Sequence, residues 1–258
     1  MTEHTTKKEI LDFHRNALGK IRNIPTVNIR NERRLAMAYV PGSLTASEEI
    51  RLDGRNAYEY TGRANRLAEV SNGKSVFGMG DIGPDAVLPI LEGKALTLKL
   101  FGDVDAVPMA IRAETAEEIV NFCRAIAPTV GGVNIGGLGN PDAFYVERAL
   151  SEVLDIPVFC DDRQGTAVAV LAAINNSIKL LGIRLAEARI AVVGAGAVGL
   201  ASADLLLSGG ARDIVILDRG GILGPSHAGM NVFQAELAAR TNPRGIEGGM
   251  KEALSGAD

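Results

Sequence analysis

The run Gly194-Ala195-Gly196-Ala197-Val198-Gly199 constrains this chain more than any other feature. It follows directly on a short apolar β run at 189–193 and opens onto a helical pattern, the context in which Gly-x-Gly-x-x-Gly becomes a dinucleotide-binding turn. Each glycine has a physical reason: the first permits the tight turn, the second lets backbone approach a pyrophosphate, and the third lets the helix pack on the strand. The helix start, Ala197 and Val198 included, supplies orphan N–H donors and a partial positive charge. Asp218 closes the next apolar run, about 20 residues on, where a carboxylate accepts hydrogen bonds from the adenosine ribose. That acid favours NAD. Arg219 beside it would instead receive the 2′-phosphate of NADP, so both cofactors stay open.

Elsewhere apolar runs of strand length alternate with longer amphipathic segments, which predicts an α/β fold. Residues 75–79 read as a buried strand ended by Gly80-Asp81-Ile82-Gly83-Pro84, with Pro84 in the first turn of a short helix. Residues 94–100 read as a second strand, whose alternation puts Lys94, Leu96, Leu98 and Leu100 on one face. Thr115 and Glu118 form a capping box before a helix at 119–126, and Pro128 marks its end. Further strands are expected at 130–135 and 156–159 around a helix at 143–153. A long helix at 165–181 is stopped by Gly182. A domain boundary is expected near 162–166, dividing 1–163 from 164–258.

A net charge of −4 on 258 residues gives no electrostatic footprint for nucleic acid or anionic lipid, which leaves small molecules as partners. A hydrophobic content of 47% with 22% charged residues excludes a disordered chain. Cys123 and Cys160 form no C-x-x-C pair and His4, His14 and His227 no H-x-x-x-H pair, so neither a disulfide scaffold nor a histidine-rich metal centre is suggested. The first twenty residues lack the apolar core of a signal peptide, and the longest uncharged run, 190–203, is shorter than the roughly 20 residues of a membrane span. These features predict a cytoplasmic protein.

Four segments, AYVPG at 38–42, FGMGDIGPDAVLPILEGKA at 77–95, VFCDDRQGTAVAVLAAINNSIKLLG at 158–182 and VVGAGAVG at 192–199, resemble the short bacterial malic enzymes, in order and over nearly the whole chain. The resemblance implies an N-terminal substrate and catalytic domain over 1–163 and a Rossmann NAD(P)-binding domain over 164–258. It implies oxidation of malate with NAD or NADP, decarboxylation of oxaloacetate, protonation of enolpyruvate to pyruvate, and a homodimer. By the same resemblance Tyr39 is the general acid, Lys94 the general base, Asp161 the partner of the lysine and Asp162 a ligand of a divalent metal, Mg²⁺ or Mn²⁺. Burial of a lysine favours the neutral form that a base requires, and a tyrosine hydroxyl within reach can deliver a proton to carbon. Read singly, Lys94 also fits a solvent-seeking side chain, Tyr39 a packed loop residue and the two aspartates a helix cap.

Two departures stand out. Where the family carries a Glu and an Asp that bind the metal, this chain has Gly136 and Gly137. A hard octahedral cation is usually anchored by one or two carboxylates, so a weak or absent metal is expected, with decarboxylation impaired first and hydride transfer on malate or a related 2-hydroxy acid retained. The chain also stops after the first two strands of the nucleotide-binding sheet, which reads as a truncated Rossmann domain with an uncovered edge. The alternative to an enzyme is a non-catalytic paralogue acting as a cofactor-binding or regulatory subunit.

Overall fold

The computed structural model describes residues 6–76, 78–139 and 141–258. Four short helices come first: α1 (Lys7–Ala17), α2 (Glu32–Ala38), α3 (Gly42–Leu52) and α4 (Ala57–Tyr60). Strands and helices then alternate through β1 (Arg66–Ser71), α5 (Gly83–Gly102), β2 (Asp105–Ala110), α6 (Ala116–Ile126), β3 (Gly132–Ile135), α7 (Asp142–Val153) and β4 (Val158–Phe159). Next come α8 (Thr166–Leu181), β5 (Arg189–Val193), α9 (Ala197–Ser208), β6 (Asp213–Asp218), β7 (Gly221–Ile222), α10 (Val232–Ala238) and α11 (Met250–Leu254). No helix among the described residues is long and apolar enough to cross a membrane.

The described residues form two compact units. The first takes the chain up to Glu114 together with Asn121–Asn134 and Val153–Val158; the second takes Thr115–Val120, Ile135–Glu152 and Phe159–Asp258. One four-stranded sheet has the order β2-β1-β3-β4, with β1 parallel to β2 from Arg66 opposite Asp105 to Ser71 opposite Ala110. A strand inside such a sheet is covered on both faces, and Ala68, Glu69, Val70 and Ser71 are accordingly all buried. Helix α5 packs on β1 and β2 through Val87, Leu91 and Ala95, spaced by four residues and each almost inaccessible.

That helix overturns one expectation. Residues 94–100 belong to α5 and not to a strand. The segment Lys-Ala-Leu-Thr-Leu-Lys-Leu satisfies both periods over seven residues, but it consists of strong helix formers with one β-branched residue. The helix also starts eleven residues earlier, with Pro84 in its first turn, and runs without interruption to Asp103 in the left-handed conformation. The expected strand at 75–79 is likewise absent as a sheet member. Val76 makes an isolated antiparallel bridge with Gly80, and Gly78 and Gly80 both hold positive φ, which closes the segment as a loop; Phe77 lies outside the described residues. The real strand is β1, a few residues upstream.

Other local expectations hold. Thr115 and Glu118 exchange the two capping-box hydrogen bonds at 3.2 Å each, and Gly182 ends α8 with φ of +70°. The second unit is built on β5-β6-β7, parallel for the first pair and antiparallel for the second. Strand alternation divides β6 between two cores: Ile214 and Ile216 pack with Leu200, Ala203, Leu206, Leu223 and Phe233, while Val215 and Leu217 pack with Ile222 and with Ala253 of α11.

Cys123 and Cys160 are inaccessible, and burial pushes both thiols up to about 12. Neither thiol is expected to react with a disulfide reagent at pH 8 in the folded protein, with both titrating once it is unfolded in urea. A native thiol that titrates within minutes would contradict this packing.

Candidate functional site

Helix periodicity decides where Lys94 goes. It lies seven residues after Val87 and three after Leu91, on the face that α5 turns to the sheet. Its side chain is 22% exposed and its Nζ stands 3.6 Å from Oε1 of Glu69, a carboxylate with no accessible surface on β1. The other oxygen, Oε2, accepts a hydrogen bond of 2.7 Å from Nδ2 of Asn134, itself buried on the neighbouring strand β3. The first unit thus carries a lysine ion pair whose acid is fixed by a buried amide. Sequence reasoning found the lysine but missed Glu69 and Asn134. The available signal was a lone acid in the otherwise apolar core of Leu67-Ala68-Glu69-Val70, because an unpaired buried charge is too costly to persist.

Tyr39 closes α2 and is 69% exposed, and its carbonyl accepts the N–H of Ser43 at 2.7 Å.

In the second unit, Asp161 and Asp162 open a π-helical turn, Asp161–Gly165, that leads into α8. Oδ2 of Asp162 accepts the backbone N–H of Gly137 at 2.7 Å, and Gly137 holds φ of +65°, where a side-chain-bearing residue is strained. Beneath the turn Arg163 pairs with Glu147 and lies 3.6 Å over the ring of Phe144, while Gln164 also donates to Glu147. Burial raises the Glu147 carboxyl despite these partners. As donors for Mg²⁺ or Mn²⁺ these groups fit poorly. Positions 136 and 137 offer no side-chain oxygen, one oxygen of Asp162 already serves the Gly137 amide, and among the described residues no three His, Cys, Asp or Glu gather to hold a metal.

The glycine turn has the form a pyrophosphate requires. Gly194 adopts φ of +114° and donates its N–H to Leu217 at 2.8 Å, which sets the turn beside the end of β6. A Cβ on Gly196 would meet nothing within 4 Å, so the backbone there is open to a ligand, whereas one on Gly199 would lie 1.9 Å from the carbonyl oxygen of Gly194. Ala197 and Val198 begin α9 with no side-chain cap on their amides, and Gln234 of α10 steadies the turn by donating to Ala195 at 3.1 Å. Asp218 ends β6 at the same, C-terminal end of this parallel pair.

Comparison with known proteins places the chain in a family. The family model for the malic enzyme N-terminal domain matches residues 18–118. A malic enzyme crystal structure from Thermotoga maritima, described as NAD-dependent, superposes with a TM-score of 0.93 at 38% identity, covering 99% of this chain and 67% of that one. The chain belongs to the malic enzyme family. The NAD-dependent malic enzyme of Geobacillus stearothermophilus is 38% identical over 93% of this chain, and the bifunctional malic/malolactic enzyme of Bacillus subtilis 38% identical over 98%. The chain spans 50% and 62% of the lengths of these two malic enzymes.

Two substitutions test the geometry. Gly199→Ala is expected to destabilise the protein by about 1–3 kcal/mol through the clash with Gly194, while Gly196→Ala leaves the urea midpoint unchanged. Asn134→Ala, which strips a donor from a buried carboxylate, is expected to cost about 1–3 kcal/mol at constant denaturant slope. Equal midpoints for all three variants and the parent would refute the packing described.

Proposed function

We propose that this chain oxidises malate, or a closely related 2-hydroxy acid, with NAD or NADP and carries malate on to pyruvate, with the second step impaired. The observation that carries the reading is the Lys94–Glu69 pair at 3.6 Å, the lysine lying in the Glu-Gly-Lys segment that resembles the family's base. Residues 1–163 are the substrate and catalytic domain and 164–258 the nucleotide-binding domain. Gly194, Gly196, Ala197, Val198, Gly199 and Asp218 would hold the dinucleotide, which supplies a hydride acceptor when bound.

The remaining chemistry belongs to the side chains. Lys94, in the form that has given up its ammonium proton, takes the proton of the C2 hydroxyl as C2 is oxidised, and Glu69 pairs with the ammonium that is restored. The role of a second acid for the lysine falls to Asp161 by the family resemblance alone. Loss of carbon dioxide from the oxaloacetate leaves enolpyruvate, to which the Tyr39 hydroxyl delivers a proton at C3. No step is routed through a metal at Asp162, because the donor set does not fit one, and without a Lewis acid the enolate charge is poorly stabilised. Those same donors favour the second reading, a paralogue that binds cofactor without turnover. A homodimer is supported by α1 to α4, which bury no residue and leave Phe13, Leu18, Met37 and Leu52 exposed. We place the protein in the cytoplasm.

The test follows reduced cofactor by absorbance and pyruvate by a coupled assay, with malate, NAD or NADP, and either Mn²⁺ or a chelator. Reduced cofactor should form in both cases and outpace pyruvate, and Lys94→Met should lower the rate by about 10²-fold or more. Binding of NAD without any reduction would leave the paralogue as the correct reading.

A further inference from the structure

The segment after β6 holds one more arrangement that the catalytic reading does not use. Oδ1 of Asp218 receives two hydrogen bonds, from the N–H of Gly220 at 2.7 Å and from Nε2 of His227 at 2.8 Å. The imidazole is 8% exposed and the carboxylate 29%. Burial pushes the Asp218 carboxyl up, but the bonds from His227 and Gly220 outweigh it and hold the group below its ordinary value. A carboxylate acceptor assigns the Nε2–H tautomer to the ring. Its other nitrogen, Nδ1, is buried with no hydrogen-bond partner among the described residues. A histidine kept only for packing gains nothing from an unsatisfied ring nitrogen, and such a cost calls for a compensating role. Gly220 shows that the approach is built in: a Cβ there would lie 3.0 Å from Nε2 and 3.3 Å from Oδ1 of Asp218. The pair borders a cavity of about 740 Å³ that Arg219 and Glu247 also line, and Leu217, which accepts the Gly194 N–H, lines it too.

We infer that His227 is a positioning residue that gives this chain its preference for a dinucleotide with a free adenosine 2′-hydroxyl. The inference rests on the reading of the glycine turn as an NAD(P) site. Because His227, Gly220 and the backbone of Gly221 all donate to this carboxylate, its plane is fixed and it is presented to the ribose diol as an ionised acceptor. A 2′-phosphate would meet the same fixed anion at the same place and be repelled. Without His227 the carboxylate turns about its side-chain bonds, the diol loses an oriented acceptor, and the neighbouring Arg219 guanidinium can meet a 2′-phosphate without a fixed anion beside it.

The experiment measures the dissociation constants of NAD and NADP for the full chain and for His227→Ala and His227→Gln. The parent should favour NAD. His227→Ala should weaken NAD by about tenfold without weakening NADP, collapsing the ratio, and His227→Gln, which keeps an N–H donor, should recover most of it. Ring resonances of the unmutated protein give a second measurement that needs no variant to fold. His227 is one of three histidines, so NAD should shift its ring signals and leave those of His4 and His14 in place. NAD binding with an unmoved His227 ring, or an unchanged ratio in a folded His227→Ala, overturns the inference alone. Failure of the parent to bind either dinucleotide removes the nucleotide site and the inference together.

Discussion

A carboxylate with no accessible surface cannot remain ionised without partners, and the first unit is organised around one such group. Glu69 sits inside a parallel sheet where water cannot solvate it, so one oxygen takes the Asn134 amide and the other faces the Lys94 ammonium. Those two partners come from β3 and α5, which means that a single charge couples strand order to the rotation of a helix. Turning α5 by one residue would carry Lys94 off the sheet face and bring a non-core position where Leu91 now packs. The apolar contacts of Val87, Leu91 and Ala95 and the polar contact of Lys94 therefore specify the same helix orientation, the kind of agreement that selects one packing over its neighbours.

The second unit relies on backbone fit. Gly199 presses its Cα against the carbonyl of Gly194, Gly194 in turn binds Leu217, and the turn, α9 and β6 are thereby held as one piece. Beneath the neighbouring turn at Asp161–Gly165, the Arg163 guanidinium is enclosed by Glu147 and the ring of Phe144, which stacks on Phe233 at 4.7 Å. A planar cation between an acid and an aromatic face is a setting that arginine fills and lysine does not.

Much of this was legible in the sequence, wherever the deciding forces act over a few residues. The glycine turn, the capping box at Thr115 and the left-handed stop at Gly182 all follow from local sterics and local hydrogen bonds. The motif singles out Lys94 but not its element, because seven alternating residues satisfy either period and only the longer run from Gly83 distinguishes them. Glu69, Asn134 and His227 escaped for a different reason. Their roles depend on partners 25, 65 and 9 residues away along the chain; the apolar neighbours of Glu69 signal that it needs a partner, but no local pattern says which residue that is.

The hairpin that carries Asp218 also restricts how this segment can be redesigned. Gly221 holds φ of +122° with a would-be Cβ 2.7 Å from the carbonyl oxygen of Gly248, and Gly248 holds φ of +118° against the side chain of Glu252. Ile222 then bonds to Gly248 at 2.9 Å, locking the two loops. An acid grafted out of, or into, such a frame keeps the old loop path, so an engineer seeking a different nucleotide would need to transplant the loop spanning residues 218–227 as a cassette and keep glycine at 221 and 248.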